Sequence, residues 1–234
     1  MDPEPDQPSP SSSGSPAAPG GGRLPRRTAQ LLVGLALYGV SAGLLVRAGL
    51  GLEPWGVLHQ GISERTGLTM GVVTIIASVV VLVLWIPLRQ RPGPGTLANT
   101  VLVGLFMDLA IAWTPPVESL AGRSALMVGA VLLNGTATGM YIATRFGPGP
   151  RDGLMTGLHR RTGRSVRLMR TLIEAVVLLS GLLLGGTVGV GTVLYALAVG
   201  PLAQLSLRIF AVPAGKGSLV VARGRRRGRE ILRW

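Results

Sequence analysis

The chain has 234 residues, of which 47% are hydrophobic and only 14% charged, well below the roughly 25% of an ordinary soluble domain. It contains no cysteine, which excludes disulfide frameworks, thiolate metal sites and cysteine nucleophiles. Its net charge of +13 could serve a nucleic-acid binder, but the placement of the charges gives that total another meaning.

Residues 1–22, MDPEPDQPSPSSSGSPAAPGGG, cannot bury enough apolar surface to offset their ordering entropy. They predict a disordered cytoplasmic tail over 1–24. The segment is no signal peptide, because it begins acidic and lacks an apolar core. Six apolar runs follow, at about 29–46, 69–88, 96–113, 124–144, 168–185 and 188–207. Runs of about 18–20 residues cross a ~30 Å hydrocarbon layer as helices. The expected fold is all-α, a polytopic transmembrane bundle of six spans over 25–210. A basic cytoplasmic tail over 211–234 ends the chain.

With the N-terminus inside, twenty Lys and Arg residues fall on cytoplasmic segments and three, Arg47, Arg65 and Arg123, on outer ones. That asymmetry places both termini in the cytoplasm. It accounts for the basic total, so no nucleic-acid partner is expected. The C-terminal run from Lys216, ending ARGRRRGREILRW, suits anionic lipid headgroups.

The chain also repeats itself. An ungapped shift of 96 residues sets Gly39 on Gly135, Gly43 on Gly139, Gly51 on Gly147, Gly61 on Gly157, Gly67 on Gly163, Gly95 on Gly191 and Gly104 on Gly200. Pro54/Pro150, Leu58/Leu154, Arg65/Arg161, Thr66/Thr162 and Thr96/Thr192 agree as well. Repeat 1 covers about 29–113 and repeat 2 about 124–207. Each repeat has an odd number of crossings, so the two enter the membrane from opposite sides. A 3+3 inverted repeat is the common framework of alternating-access transporters.

One phrase is written twice between the apolar runs: PWGVLHQGISERTG at 54–67 and PRDGLMTGLHRRTG at 150–163. Proline suits the first turn of a helix, and glycine suits the position after its end. Each copy predicts a helix of ~20 Å, too short to span. The two are either re-entrant half-helices or amphipathic helices lying at the interfaces. As candidate solute contacts they offer Glu53, Pro54, Trp55, His59 and Gln60 from the first copy. The second offers Pro150, Arg151, Asp152, Thr156 and His159.

Two acids fall inside expected spans, Asp108 and Glu174. Such acids are ion-coupling candidates. The plainer readings are an outward-snorkelling Asp108 and an i−4 ion pair of Glu174 with Arg170. The motifs GVSAG (39–43) and GTATG (135–139) allow close helix approach through Gly39, Gly43, Gly135 and Gly139. Their matched positions suggest that spans 1 and 4 cross there.

The stretches AGLGLEPWGVLHQGISERTGLTMG, LWIPLRQRPGPGTLAN, GPGPRDGLMTGLHRRTGRSVRLMRTLIE and LLGGTVGVGTVLYALAVGPL resemble the YczE-like branch of the YczE/YyaS/YitT family of bacterial integral membrane proteins. The resemblance covers about residues 25–210 and implies a multi-pass protein of the bacterial plasma membrane. Members of that branch often carry an acid after a Pro-Trp pair. Here that place is Gly56, while the second copy keeps Asp152 after Arg151.

The sequence lacks His-Glu-x-x-His, a nucleophile with a histidine base and a phosphate loop with its lysine. No enzymatic activity, cofactor or metal is expected. The leading expectation is a small secondary transporter or exporter of an unidentified small solute, with a homodimer compatible with so small a bundle. The alternative is a non-transporting membrane partner that assists another membrane system.

Overall fold

The computed structural model describes residues 24–210, and among these there are eight helices and no strand. The expected tails, 1–24 and 211–234, lie outside the described residues apart from Leu24. The helices are α1 (Leu24–Ala48), α2 (Pro54–Thr66), α3 (Met70–Trp85), α4 (Pro94–Trp113), α5 (Leu120–Ala143), α6 (Pro150–Thr162), α7 (Val166–Leu183) and α8 (Val190–Ile209).

Local chemistry explains the boundaries. Helices α2, α4 and α6 open with proline in the first turn, where no amide hydrogen is needed. Helices α3 and α7 are capped by Thr69 and Ser165, whose hydroxyls accept the amides of Val72 (3.3 Å) and Leu168 (3.2 Å). Thr96 and Thr192 accept the amides of Gly93 and Gly189, each at 3.2 Å. Gly67 and Gly163 end α2 and α6 in the left-handed region, and each amide bonds a carbonyl four residues back at 2.9 Å. That is the ordinary glycine stop.

These features recur at the 96-residue spacing. Helix α2 becomes α6 and α4 becomes α8 with no change of bounds. Every positive φ among the described residues has its counterpart. Gly49 (59°) matches Arg145 (57°), Gly51 (111°) matches Gly147 (129°), Gly67 (74°) matches Gly163 (68°), and Arg89 (53°) matches Gly185 (101°). Backbone geometry has thus persisted where the residue has not.

Four helices, α1, α4, α5 and α8, are long and apolar enough to cross a membrane. The expected runs at 69–88 and 168–185 are shorter as helices. Helix α3 has 16 residues and bends by 115° from α2, so that the pair qualifies only together, as a broken span or a re-entrant loop. Helix α7 has 18 residues and carries Arg167, Arg170 and Glu174. Large apolar side chains cover the outside of the bundle, among them Ile76, Val80, Val101, Leu105, Val176, Leu179, Val193 and Leu197. So much exposed aliphatic surface suits lipid contact and is foreign to a soluble monomer.

Inside lipid, helix association depends on close packing and not on the hydrophobic effect, and the small residues serve that end. A Cβ at Gly39 would overlap Phe106 and the Val103 carbonyl of α4, and one at Gly43 would overlap Ala110. At Gly135 and Gly139 it would overlap Leu202 and Ser206 of α8. Each motif therefore seats the first helix of a half against the last helix of the same half. The four glycines themselves do not line a contact of α1 with α5. Those two helices approach at Gly34, beside Tyr141, and beside the motifs at Asn134, which donates to Ser41 Oγ at 2.8 Å.

Candidate functional site

All eight helices contribute to one cavity of about 320 Å³ whose walls mix charged, polar and apolar side chains. The N-termini of the two short helices open onto it. Glu53, Pro54 and Trp55 come from the start of α2, and Pro150, Arg151 and Asp152 from the start of α6. The remaining walls include Tyr38 of α1, Thr74 and Ser78 of α3, Asn99 and Val103 of α4, Tyr141 of α5, Arg170 and Glu174 of α7, and Tyr195 and Val199 of α8. Seven lining pairs stand 96 residues apart: 53/149, 54/150, 55/151, 74/170, 78/174, 99/195 and 103/199.

Trp85, 1% exposed, locks the α6 end in place. Its indole nitrogen donates to the Pro150 carbonyl at 3.0 Å, and its ring fills the space where a Cβ on Gly153 would stand. Glycine at 153 therefore permits the contact that positions Arg151 and Asp152. At the other end, Val57 and His59 are buried and pack α2 into the bundle.

The cavity is charged on several sides. Arg151 approaches Glu53 at 3.9 Å and places its guanidinium carbon 4.8 Å from the centre of the Trp55 ring. That stacking is a cation–π contact. Asp152 accepts the Tyr141 hydroxyl at 3.2 Å. Tyr141 stands edge-on to Tyr38 with ring centres 6.0 Å apart. Tyr195 donates to Asn134 Oδ1 at 2.9 Å. Arg170 and Glu174 form an i,i+4 ion pair at 2.9 Å. Charges inside a membrane protein are costly unless they are paired or face a cavity; all five line the cavity, and Arg170 with Glu174 forms the one close pair among them.

Of the ten candidate contacts, Glu53, Pro54, Trp55, Pro150, Arg151 and Asp152 meet at the cavity. The other four lie elsewhere. His59 is buried behind the wall, with Nδ1 3.0 Å from Thr74 Oγ1 and Nε2 without a partner among the described residues. Gln60 bonds Glu64 and both the amide and hydroxyl of Thr187, which ties α2 to the α7–α8 connection. Thr156 bonds back to the Gly153 carbonyl at 3.1 Å. His159 Nδ1 lies 2.5 Å from the Arg164 carbonyl at the end of α6.

The two acids of the expected spans part company. Glu174 lines the cavity. Asp108 does not. It accepts the Gly71 amide at 2.7 Å and the Thr69 hydroxyl at 2.5 Å, so it caps the first turn of α3 from a neighbouring helix. Residues absent from the candidate set include Tyr38, Tyr141 and Tyr195, which are all three tyrosines of the chain. Their scarcity, with one in each of three apolar runs, was the available signal.

Residues 25–208 match the model of a family of unknown function, DUF6198. The chain belongs to that family. Among its relatives by sequence, an uncharacterized protein of Haemophilus influenzae is 40% identical over 181 residues, covering 77% of this chain and 83% of the relative. The uncharacterized membrane protein YczE of Bacillus subtilis is 33% identical, over 73% and 79% of the two chains. YyaS of the same organism is 28% identical, over 69% and 83%. The YczE-like resemblance of the motifs is thus matched along most of the chain. No solved structure matches. Family and apolar helices together make this a multi-pass membrane protein.

Proposed function

We propose that the chain is a small secondary transporter of the bacterial plasma membrane, working by alternating access between two inverted halves. The observation that carries the reading is the cavity lined by residue pairs 96 apart. A site shared by matched residues of both halves is where repeat-built transporters bind their cargo.

The hydrogen bonds between the halves support the same symmetry. Arg27 bonds the Thr144 carbonyl at 3.1 Å, and Arg123 bonds the Ala48 carbonyl at 2.8 Å. Gly95 N bonds Phe146 O at 3.0 Å, and Gly191 N bonds Leu50 O at 2.8 Å. Arg161 bonds the Pro87 carbonyl, and Arg65 the Leu183 carbonyl. In each case adding 96 to one partner and subtracting it from the other yields the second bond. A two-fold axis relating the halves produces this exchange.

On this reading α1, α3 and α4 are the crossings of one half and α5, α7 and α8 those of the other. Helices α2 and α6 are re-entrant, a role supported by the burial of Val57 and His59. At ~24 Å, α3 spans a layer thinned or adjusted to it. Both termini are cytoplasmic by the basic-residue asymmetry. The experiment that tests the reading is sided accessibility of a cavity residue, because a transporter opens Ser78 to each side of the membrane in turn.

A further inference from the structure

We propose that the cavity binds a small zwitterion, a molecule with a carboxylate and an ammonium group a few bonds apart, as in an amino acid. The inference rests on reading the cavity as a substrate site, and it names what that site selects.

Adjacent residues supply opposite charges, and neither is saturated. The guanidinium of Arg151 touches Glu53 only at 3.9 Å, longer than an N–H···O hydrogen bond. Its other contact is the face of Trp55. Among the described residues no hydrogen bond uses its N–H donors, which leaves them open to a ligand carboxylate in the fork geometry that suits one. The nearby N-terminus of α6 adds positive potential. Asp152 has the Tyr141 hydroxyl and no cation at ion-pair distance among the described residues. It keeps acceptor sites for an ammonium group. Arg170 and Glu174, in contrast, satisfy each other at 2.9 Å.

A singly charged ligand fits this pair poorly. An anion drawn to Arg151 meets Glu53 and Asp152. A cation drawn to Asp152 meets Arg151. A zwitterion engages both poles and leaves the net charge of a low-dielectric site unchanged. The volume of about 320 Å³ is that of roughly ten waters at liquid density, enough for a solute of amino-acid size. Tyr38, Tyr141 and Tyr195 offer aromatic walls to whatever else the solute carries.

The test is thermal melting of the full chain in detergent with each of the standard amino acids in turn. The strongest binder is then compared with its N-acetyl derivative, which keeps only the anion, and its methyl ester, which keeps only the cation. At least one amino acid is expected to raise the melting temperature, with both derivatives losing most of that shift. Asp152→Asn and Arg151→Gln should each weaken binding about tenfold or more, as loss of a charged hydrogen bond does. The derivative comparison uses the unaltered chain, so it holds even if a variant folds poorly. If no amino acid shifts melting, or a singly charged derivative binds as tightly as its parent, the zwitterion site is overturned. Flux of the bound amino acid into proteoliposomes tests the other claim. Binding without flux leaves the zwitterion site standing and refutes transport.

Discussion

Trp85 and Gly153 are the contact through which α3 sets the position of the α6 N-terminus, and a double-mutant cycle measures it. In Gly153→Ala the new methyl falls on the benzo ring of Trp85. The ring is 1% exposed and tethered by its bond to Pro150, so it cannot swing clear. Overpacking of this kind costs about 1–3 kcal/mol. Trp85→Phe removes the indole hydrogen bond and the outer ring, together about 2–3 kcal/mol. The atoms that the added methyl would strike, Cζ2, Cη2 and Cε2, belong to the ring that Phe lacks. In the double variant the methyl therefore occupies space already vacated. The combined loss should fall short of the sum by about 1 kcal/mol or more, a coupling typical of residues in contact. Unfolding of the detergent-solubilised variants, followed by far-UV circular dichroism, supplies the four energies. Strictly additive losses, or a Gly153→Ala variant as stable as the parent, would refute the reasoning.

Asp108→Ala strips the Gly71 amide and Thr69 hydroxyl of their acceptor. It should cost about 2 kcal/mol, seen as a melting point lower by about 4–8 °C. Reactivity of a cysteine in the cavity should not change, because Asp108 lies outside it. Arg27→Gln loses the charged bonds to the Thr144 carbonyl and the stacking on Phe146, and Arg123→Gln loses those to the Ala48 and Gly49 carbonyls, all in the opposite half. Each should cost about 1.5–3 kcal/mol, and the two losses should match. Markedly unequal losses in the same unfolding assay count against the equivalence of the halves.

Local signals were the most legible part of the sequence. Proline at the first turn and glycine after the last are short-range chemistry, and they place α2 and α6 to the residue. The 96-residue register was legible for a similar reason, since close approach or positive φ calls for glycine at matched positions. The match of Gly93 with Gly189, both helix caps, belongs to the same register. Six of the ten candidate contacts reach the cavity because the start of a short helix faces inward. His59, Gln60, Thr156 and His159 do not, since positions further along each helix turn toward neighbouring segments. The tyrosines escaped notice because they stand on α1, α5 and α8, and only tertiary packing brings those helices together. Asp108 lies outside the cavity and holds the first turn of α3. The α3 amide that it accepts lies 37 residues away in sequence, a distance no local pattern reveals.

The chain has no native cysteine, so one introduced thiol reports alone. Ser78 lines the cavity on α3, opposite in the repeat to Glu174. In Ser78→Cys, a membrane-impermeant thiol reagent would be applied first to intact cells, then to inside-out vesicles. Alternating access predicts that the thiol reacts from both sides. Reaction from one side only, or from neither, contradicts transport through this cavity and leaves the protein a membrane partner with a closed-ended site.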